Sequence, residues 1–177
     1  MSSIQAENIQ VAYDDRVIIE KLSTRIPSGK ITTIIGANGC GKSTLLKALT
    51  RILPHQEGAI YLDGQAIAQL PTKEVAKKLA LLPQVLEATE EISVYELVSY
   101  GRYPHQNGLG YLTDQDRQKI NWALEATQTA PFARFPVDDL SGGQRQRVWI
   151  AMALAQDTNT IFLDEPTTYL DLNHQLE

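Results

Sequence analysis

Apolar and polar positions divide the chain into stretches of two different periods. Ile4–Tyr13, Arg16–Ile26 and Ile31–Ile35 are short runs rich in Ile, Val and Thr, broken by Asp14-Asp15 and by Pro27-Ser28-Gly29. Their composition and punctuation predict three strands. From Lys42 the period lengthens: Leu45, Leu46 and Leu49 share one helical face, which predicts a helix over Lys42–Ile52. Ala59–Leu62, closed by Asp63-Gly64, and Leu79–Leu82, ended by Pro83, read again as strands.

The middle of the chain turns helical. Ser93 with Glu96 forms a capping box ahead of Leu97 and Val98. Thr113-Asp114 opens a second helix with Ile120, Ala123, Leu124 and Thr127 at helical spacing, and Pro131 and Pro136 bound a loop. Gly143–Ala155 reads as a helix whose Val148, Ala151, Met152 and Ala155 face a core. Thr160–Leu163 is an apolar strand ending in Asp164-Glu165. Strands, then a helical block, then a helix and a buried strand predict an α/β sheet with a helical insertion.

With 177 residues, 43% of them apolar, the chain is long enough for one compact domain and too short for two full ones. It shows no internal repeat. Sixteen Lys and Arg against 21 Asp and Glu give a net charge of -5, which argues against a globally basic nucleic-acid binder. The one cysteine, Cys40, rules out an internal disulfide framework and fits a reducing compartment. No apolar run approaches the ~18 residues of a membrane span, and the start MSSIQAENIQ lacks signal-peptide character. The expectation is a mildly acidic, cytosolic domain.

The predicted strand Ile31–Ile35 runs into Gly36-Ala37-Asn38-Gly39-Cys40-Gly41-Lys42-Ser43-Thr44, a G-x-x-x-x-G-K-S loop leading into a helix. Glycines let successive N–H groups point into one concavity, and the helix N-terminus behind them favours negative charge. Lys42 can reach the outer phosphates of a nucleotide as a point charge. Ser43 offers a hydroxyl to a bridging Mg²⁺. Cys40 is either a small side chain suited to the loop or a redox-sensitive thiol.

Asp164 and Glu165 follow an apolar strand, at the end where parallel α/β sheets place their ligands. Asp164 is thus expected to face the same crevice as Ser43 and hold Mg²⁺ through water. Glu165 beside it is placed to polarise an attacking water. Taken alone, the pair also fits ordinary surface carboxylates after a strand; the phosphate loop upstream favours the functional reading. Leu140-Ser141-Gly142-Gly143-Gln144 is a polar, glycine-rich turn opening onto a helix. It fits either an ordinary Ser N-cap or a second phosphate-seeking turn. In the second case, one crevice being already supplied, it faces a nucleotide held by another copy.

In these motifs and their order the chain resembles the nucleotide-binding domain of ATP-binding cassette (ABC) transporters. Gly36–Thr44 matches the P-loop, Gln84 the Q-loop, Leu140–Gln144 the signature, Ile161–Asp164 with Glu165 the Walker B strand, and Thr168-Tyr169-Leu170-Asp171 the D-loop. The closer resemblance is to ATPases of importers for iron chelates such as ferric siderophores, haem or vitamin B12. Ser99-Tyr100-Gly101-Arg102-Tyr103-Pro104-His105 and the helix text from Asp139 to Gln156 carry it.

The resemblance implies a P-loop core sheet with an N-terminal antiparallel β subdomain and a helical subdomain inserted over 93–136. It implies ATP with Mg²⁺, and a head-to-tail dimer. The P-loop residues Gly36, Asn38, Gly39, Cys40, Gly41, Lys42, Ser43 and Thr44 hold the phosphates of one ATP. Tyr13 stacks on the adenine, unless it is simply a sheet-face tyrosine. Ser141, Gly143 and Gln144 of the second copy reach the γ-phosphate. Ser43, Gln84 and Asp164 serve the metal, and Glu165, Gln84 and Lys42 the chemistry, with Gln84 also a hinge. The implied partners are membrane permease subunits and, indirectly through them, a substrate-binding protein, with no nucleic acid; the implied place of this chain is peripheral, at the cytoplasmic face of the inner or plasma membrane.

The family pattern continues past the D-loop with a core strand ending in a histidine that contacts the γ-phosphate, and residues up to Glu177 contain no such strand. His174 is too near the D-loop to replace that histidine and is expected on a helix surface, while His55 and His105 are loop residues forming no metal cluster. The family places the additional strand between the P-loop and Walker B strands. The expectation is therefore a C-terminally shortened cassette with unpaired backbone groups in mid-sheet, each costing ~1–3 kcal/mol if buried. Against a total stability of ~5–15 kcal/mol, that predicts a chain poorly stable and weakly active by itself. Two alternatives stand beside the importer ATPase: a cassette that binds nucleotide without efficient hydrolysis, and a soluble cassette ATPase outside transport. A P-loop metabolite kinase has no use for Leu140–Gln144.

Overall fold

The computed structural model describes residues 3–84, 91–106 and 110–165. Two compact units divide between Leu81 and Leu82. Thr168–Asp171 and His174 lie outside the described residues.

The first unit is built on a four-stranded antiparallel sheet in the order β2-β1-β3-β4, with β1 Ile4–Tyr13, β2 Arg16–Ile26, β3 Glu57–Leu62 and β4 Gln65–Ala66. In β1 the apolar positions are Ile4, Ala6, Ile9 and Val11, one residue out of a strict period of two. Glu7 and Asn8 are both exposed, Asn8 has φ 48°, and the register with β2 shifts between Ala6 and Ile9. This bulge returns Ile9 and Val11 to the buried face that Ile4 and Ala6 occupy. Asp14 turns β1 into β2, and Asp63-Gly64, both at positive φ, turn β3 into the short β4, which the sequence did not announce.

Helix α1, Lys42–Leu49, packs against β1 through Leu45, Leu46, Ala48 and Leu49. Its last residue is Leu49, three before the predicted end; Thr50 caps it and Arg51 enters the left-handed region with φ 62°. From there Arg51 reaches Ile67 O, Leu70 O and Thr72 Oγ1, fastening the turn that starts α2, Thr72–Ala76.

The predicted strand Ile31–Ile35 is not one. Its side chains are exposed, Ile31 at 99% and Ile35 at 90%, and it belongs to neither sheet. Branched residues favour extended backbone, but a strand exists only when a neighbour takes its hydrogen bonds, and no described strand lies beside this one.

The second unit is a helical cluster followed by one short strand. α3 Val94–Ser99, α4 Asp114–Ala126 and α5 Gly142–Ala155 pack on one another, and the turn 100–105 packs against all three helices. Val94, Leu97, Val98, Ile120, Ala123, Leu124, Val148 and Ala151 form their common core. All three helices begin with a reciprocal capping box: Ser93 with Glu96, Thr113 with Asp116 and Ser141 with Gln144. Met152, expected to face the core, is only half-buried at its edge. β5, Leu79–Leu82, ends at the boundary between the units; beyond β6, Thr160–Leu163, the Asp164 N–H donates to Leu82 O at 3.0 Å.

Candidate functional site

The candidate groups fall in both units. In the first, residues 36–40 are exposed, and Gly39 and Gly41 take φ 78° and 96°. Gly41 is the N-cap of α1, and no side chain caps the helix there. An α-helix start leaves N–H groups without intrahelical acceptors, and here they end on an open loop. A cluster of outward-facing donors at the positive end of a helix is chemically suited to a polyphosphate.

Lys42 closes the loop on itself, its Nζ donating to Gly36 O and Ala37 O at 3.0 Å each. A cation held by two neutral carbonyls can exchange them for phosphate oxygens, which bind it more strongly. Cys40 is exposed, and its Sγ lies 2.6 Å from where a Cβ on Gly36 would stand, so glycine at 36 makes room for it. Thr44 is buried under the loop; Ser43 beside it is half-buried. Tyr13 is 43% exposed at the end of β1, opposite Arg16 in the hairpin.

In the second unit the structure brings Gln84 and Glu165 together: Gln84 Nε2 donates to Glu165 Oε2 at 2.6 Å. Gln84 lies two residues beyond the end of β5 and Glu165 two beyond β6, where its backbone turns left-handed at φ 49°. Asp164, next to Glu165 in the chain, is buried, at 5% exposure. Within the second unit the Asp164 carboxylate and the Gln84 Oε1 left over by its bond to Glu165 are hard oxygen donors of the kind Mg²⁺ takes, and within the first the Ser43 hydroxyl is another. By the chemistry of its oxygen atoms, each of these residues suits the ion.

Ser141 and Gly142 are exposed at the start of α5, so this turn is open to solvent rather than packed inside its own unit. Its side chains are engaged locally: Ser141 Oγ accepts from the Gln144 N–H at 3.3 Å, and the Ser141 N–H donates to Gln144 Oε1 at 2.9 Å. The ordinary N-cap role is therefore present, and Gly143 follows half-buried. The S-x-x-Q spacing was visible in the sequence as a capping box, a signal the reading of this turn passed over. The reading also missed the buried Arg102–Asp116 pair, signalled only by T-x-x-D at 113–116.

A family model described as ABC transporter matches residues 19–168. The chain is 59% identical over its whole length to the iron(3+)-hydroxamate import ATP-binding protein FhuC of Bacillus subtilis, strain 168. It is 44% identical, again over its whole length, to the ferric enterobactin transport ATP-binding protein FepC of Escherichia coli K12. It spans 66% and 65% of those relatives' own lengths. A solved metal-chelate type ABC transporter in an inward-facing conformation superposes with a TM-score of 0.81 at 32% identity, over 98% of this chain and 64% of that one. A bacterial Atm1-family ABC exporter with ATP bound gives 0.83 at 27% identity, over 98% of this chain and 31% of that one.

Proposed function

The chain belongs to the ABC transporter family, and on that premise we propose that it binds and hydrolyses ATP to energise a membrane importer of ferric siderophores or related iron chelates. The observation that carries the nucleotide reading is the uncapped start of α1 behind an exposed loop with two left-handed glycines. Backbone N–H groups of Gly36–Thr44 and the Lys42 ammonium hold the phosphates, and Tyr13 stacks on the adenine. Ser43, Gln84 and Asp164 hold Mg²⁺, which when bound neutralises charge on the phosphate oxygens.

Glu165 takes the proton of a water attacking the γ-phosphorus as the bond to the β–γ bridging oxygen breaks. Ser141, Gly143 and Gln144 meet the γ-phosphate of ATP held by a second copy, and 93–136 acts as the helical subdomain passing closure to permease subunits. Those permease subunits in turn work with a substrate-binding protein, and this chain sits at the cytoplasmic face of the membrane. No helix among the described residues is long and apolar enough to cross a membrane, which agrees with a peripheral subunit. Support for the cargo comes from relatives named for iron(3+)-hydroxamate and ferric enterobactin.

ATP binding and phosphate release, measured separately on the whole protein with its membrane subunits, test the reading. Both should be present in wild type, and binding should vanish in Lys42→Ala. Cells lacking the protein should lose uptake of radiolabelled ferric hydroxamate and regain it with wild type but not with Lys42→Ala. Full uptake in the deletion strain would remove the cargo while leaving the ATPase standing.

A further inference from the structure

The segment Tyr100–His105 takes no part in the chemistry above, yet its backbone lies directly on the last turn of α5. A Cβ on Gly101 would stand 2.3 Å from Met152 O, so only glycine allows this approach. Arg102 is 3% exposed. Its Nε donates to Asp116 Oδ1 at 2.8 Å and its Nη1 to Ala155 O at 2.8 Å. His105 Nε2 donates to Gln156 O, also at 2.8 Å. Asp116 is itself fixed, its Oδ2 accepting from Thr113 N–H at 2.9 Å and Thr113 Oγ1 at 2.7 Å. Lys119 on α4 pairs with Asp157 just beyond α5 at 2.9 Å.

The C-terminal end of α5 is thus bonded from the 100–105 turn and from α4. Its other end carries Ser141–Gln144. Apolar packing alone holds a helix against its neighbours but leaves small rotations cheap. A buried guanidinium is different, because its planar fork fixes two bond directions at once. Over the 14 residues of α5, about 21 Å long, a tilt of ~5° moves the far end by about 2 Å.

We propose that Arg102 is a positioning residue: by joining Asp116 to the Ala155 carbonyl it sets the direction of α5, and with it where Ser141–Gln144 is presented to the nucleotide of a second copy. This rests on the reading of that turn given above.

The test uses the whole protein in a Glu165→Gln background, so that ATP persists, comparing Arg102 with Arg102→Lys and Arg102→Met. Lysine keeps a charge opposite Asp116 but loses the fork. Three quantities are read: affinity of the monomer for a fluorescent ATP analogue, the ATP concentration giving half-maximal dimer by sedimentation, and the thermal melt. Both variants should bind the analogue within about twofold of the parent while needing roughly tenfold or more ATP to dimerise, since misplacement by ~1 Å can cost up to ~100-fold. Should Arg102→Met fail to fold, His105→Gln, which loosens the neighbouring carbonyl, should shift dimerisation in the same direction.

An Arg102→Lys protein that dimerises like the parent overturns the proposal. So does a loss of analogue binding in step with dimerisation, the mark of a general structural role. If the parent itself never dimerises with ATP, the reading of the Ser141 turn has failed and the proposal falls with it, a result visible before any Arg102 variant is made.

Discussion

The Gln84 side-chain amide donates to a carboxylate oxygen of Glu165 across 2.6 Å, joining residues 81 positions apart in sequence. The ends of β5 and β6 make the meeting possible, held one step earlier by the bond from the Asp164 N–H to Leu82 O. A left-handed turn at Glu165 then carries its side chain to the amide.

Replacing Glu165 by Gln removes the proton acceptor while keeping the side chain's size. ATP binding should persist, and steady-state phosphate release by the whole protein should fall by ~10²–10⁴. Unchanged phosphate release would refute the assignment of Glu165.

Gly41→Ala attacks the phosphate loop through its backbone. At φ 96° an added Cβ is strained, at roughly 1–2 kcal/mol, and would lie 3.1 Å from Ile18 Cγ2. The loop must shift, so ATP affinity should drop at least tenfold while the melt changes by only a few degrees. Titration with a fluorescent nucleotide checks this.

Asp116 makes acid stability measurable. Burial pushes its carboxyl up, but hydrogen bonds from the Thr113 hydroxyl and amide and from Arg102, with the Arg102 charge, outweigh that and hold it below the usual 3.8. A depressed folded value means the stabilisation is in place above pH ~3.9 and drains away as pH falls through the folded value. Asp116→Asn keeps an acceptor for Thr113 but leaves the buried Arg102 charge without its carboxylate, with only the Ala155 carbonyl beside it, at about 3–5 kcal/mol. Urea midpoints across pH 2–7 should be lower for the variant at neutral pH and less steep below pH 4.

Gly101→Ala forces a methyl against Met152 O, where 2.3 Å is available. Overpacking of this kind costs ~1–3 kcal/mol and, at ~2–4 °C per kcal/mol for a chain this size, should lower the melting temperature by several degrees. Affinity of the monomer for a fluorescent nucleotide should stay at the wild-type value, because the methyl meets Met152, Ala155 and Gln156 and none of the residues proposed to hold ATP. A melt equal to wild type would show that the turn and α5 separate easily.

What the sequence determined was local. The 3.6-residue period and the S-x-x-E and T-D signals placed α3 and α4. The limits of β1 and β2 followed from Asp14-Asp15 and the Pro27 turn, and the glycine spacing at 36–41 marked the loop. Capping, turn chemistry and left-handed glycines act within a few residues, so they are legible in one dimension. Tertiary structure alone decided the rest. Ile31–Ile35 has strand composition but forms no strand, because a ladder needs a neighbour that composition cannot supply. The β1 bulge, the Gln84–Glu165 bond and the Arg102–Asp116–Ala155 tie depend on which distant segments meet, and the long-range packing that brings them together is set by the whole chain.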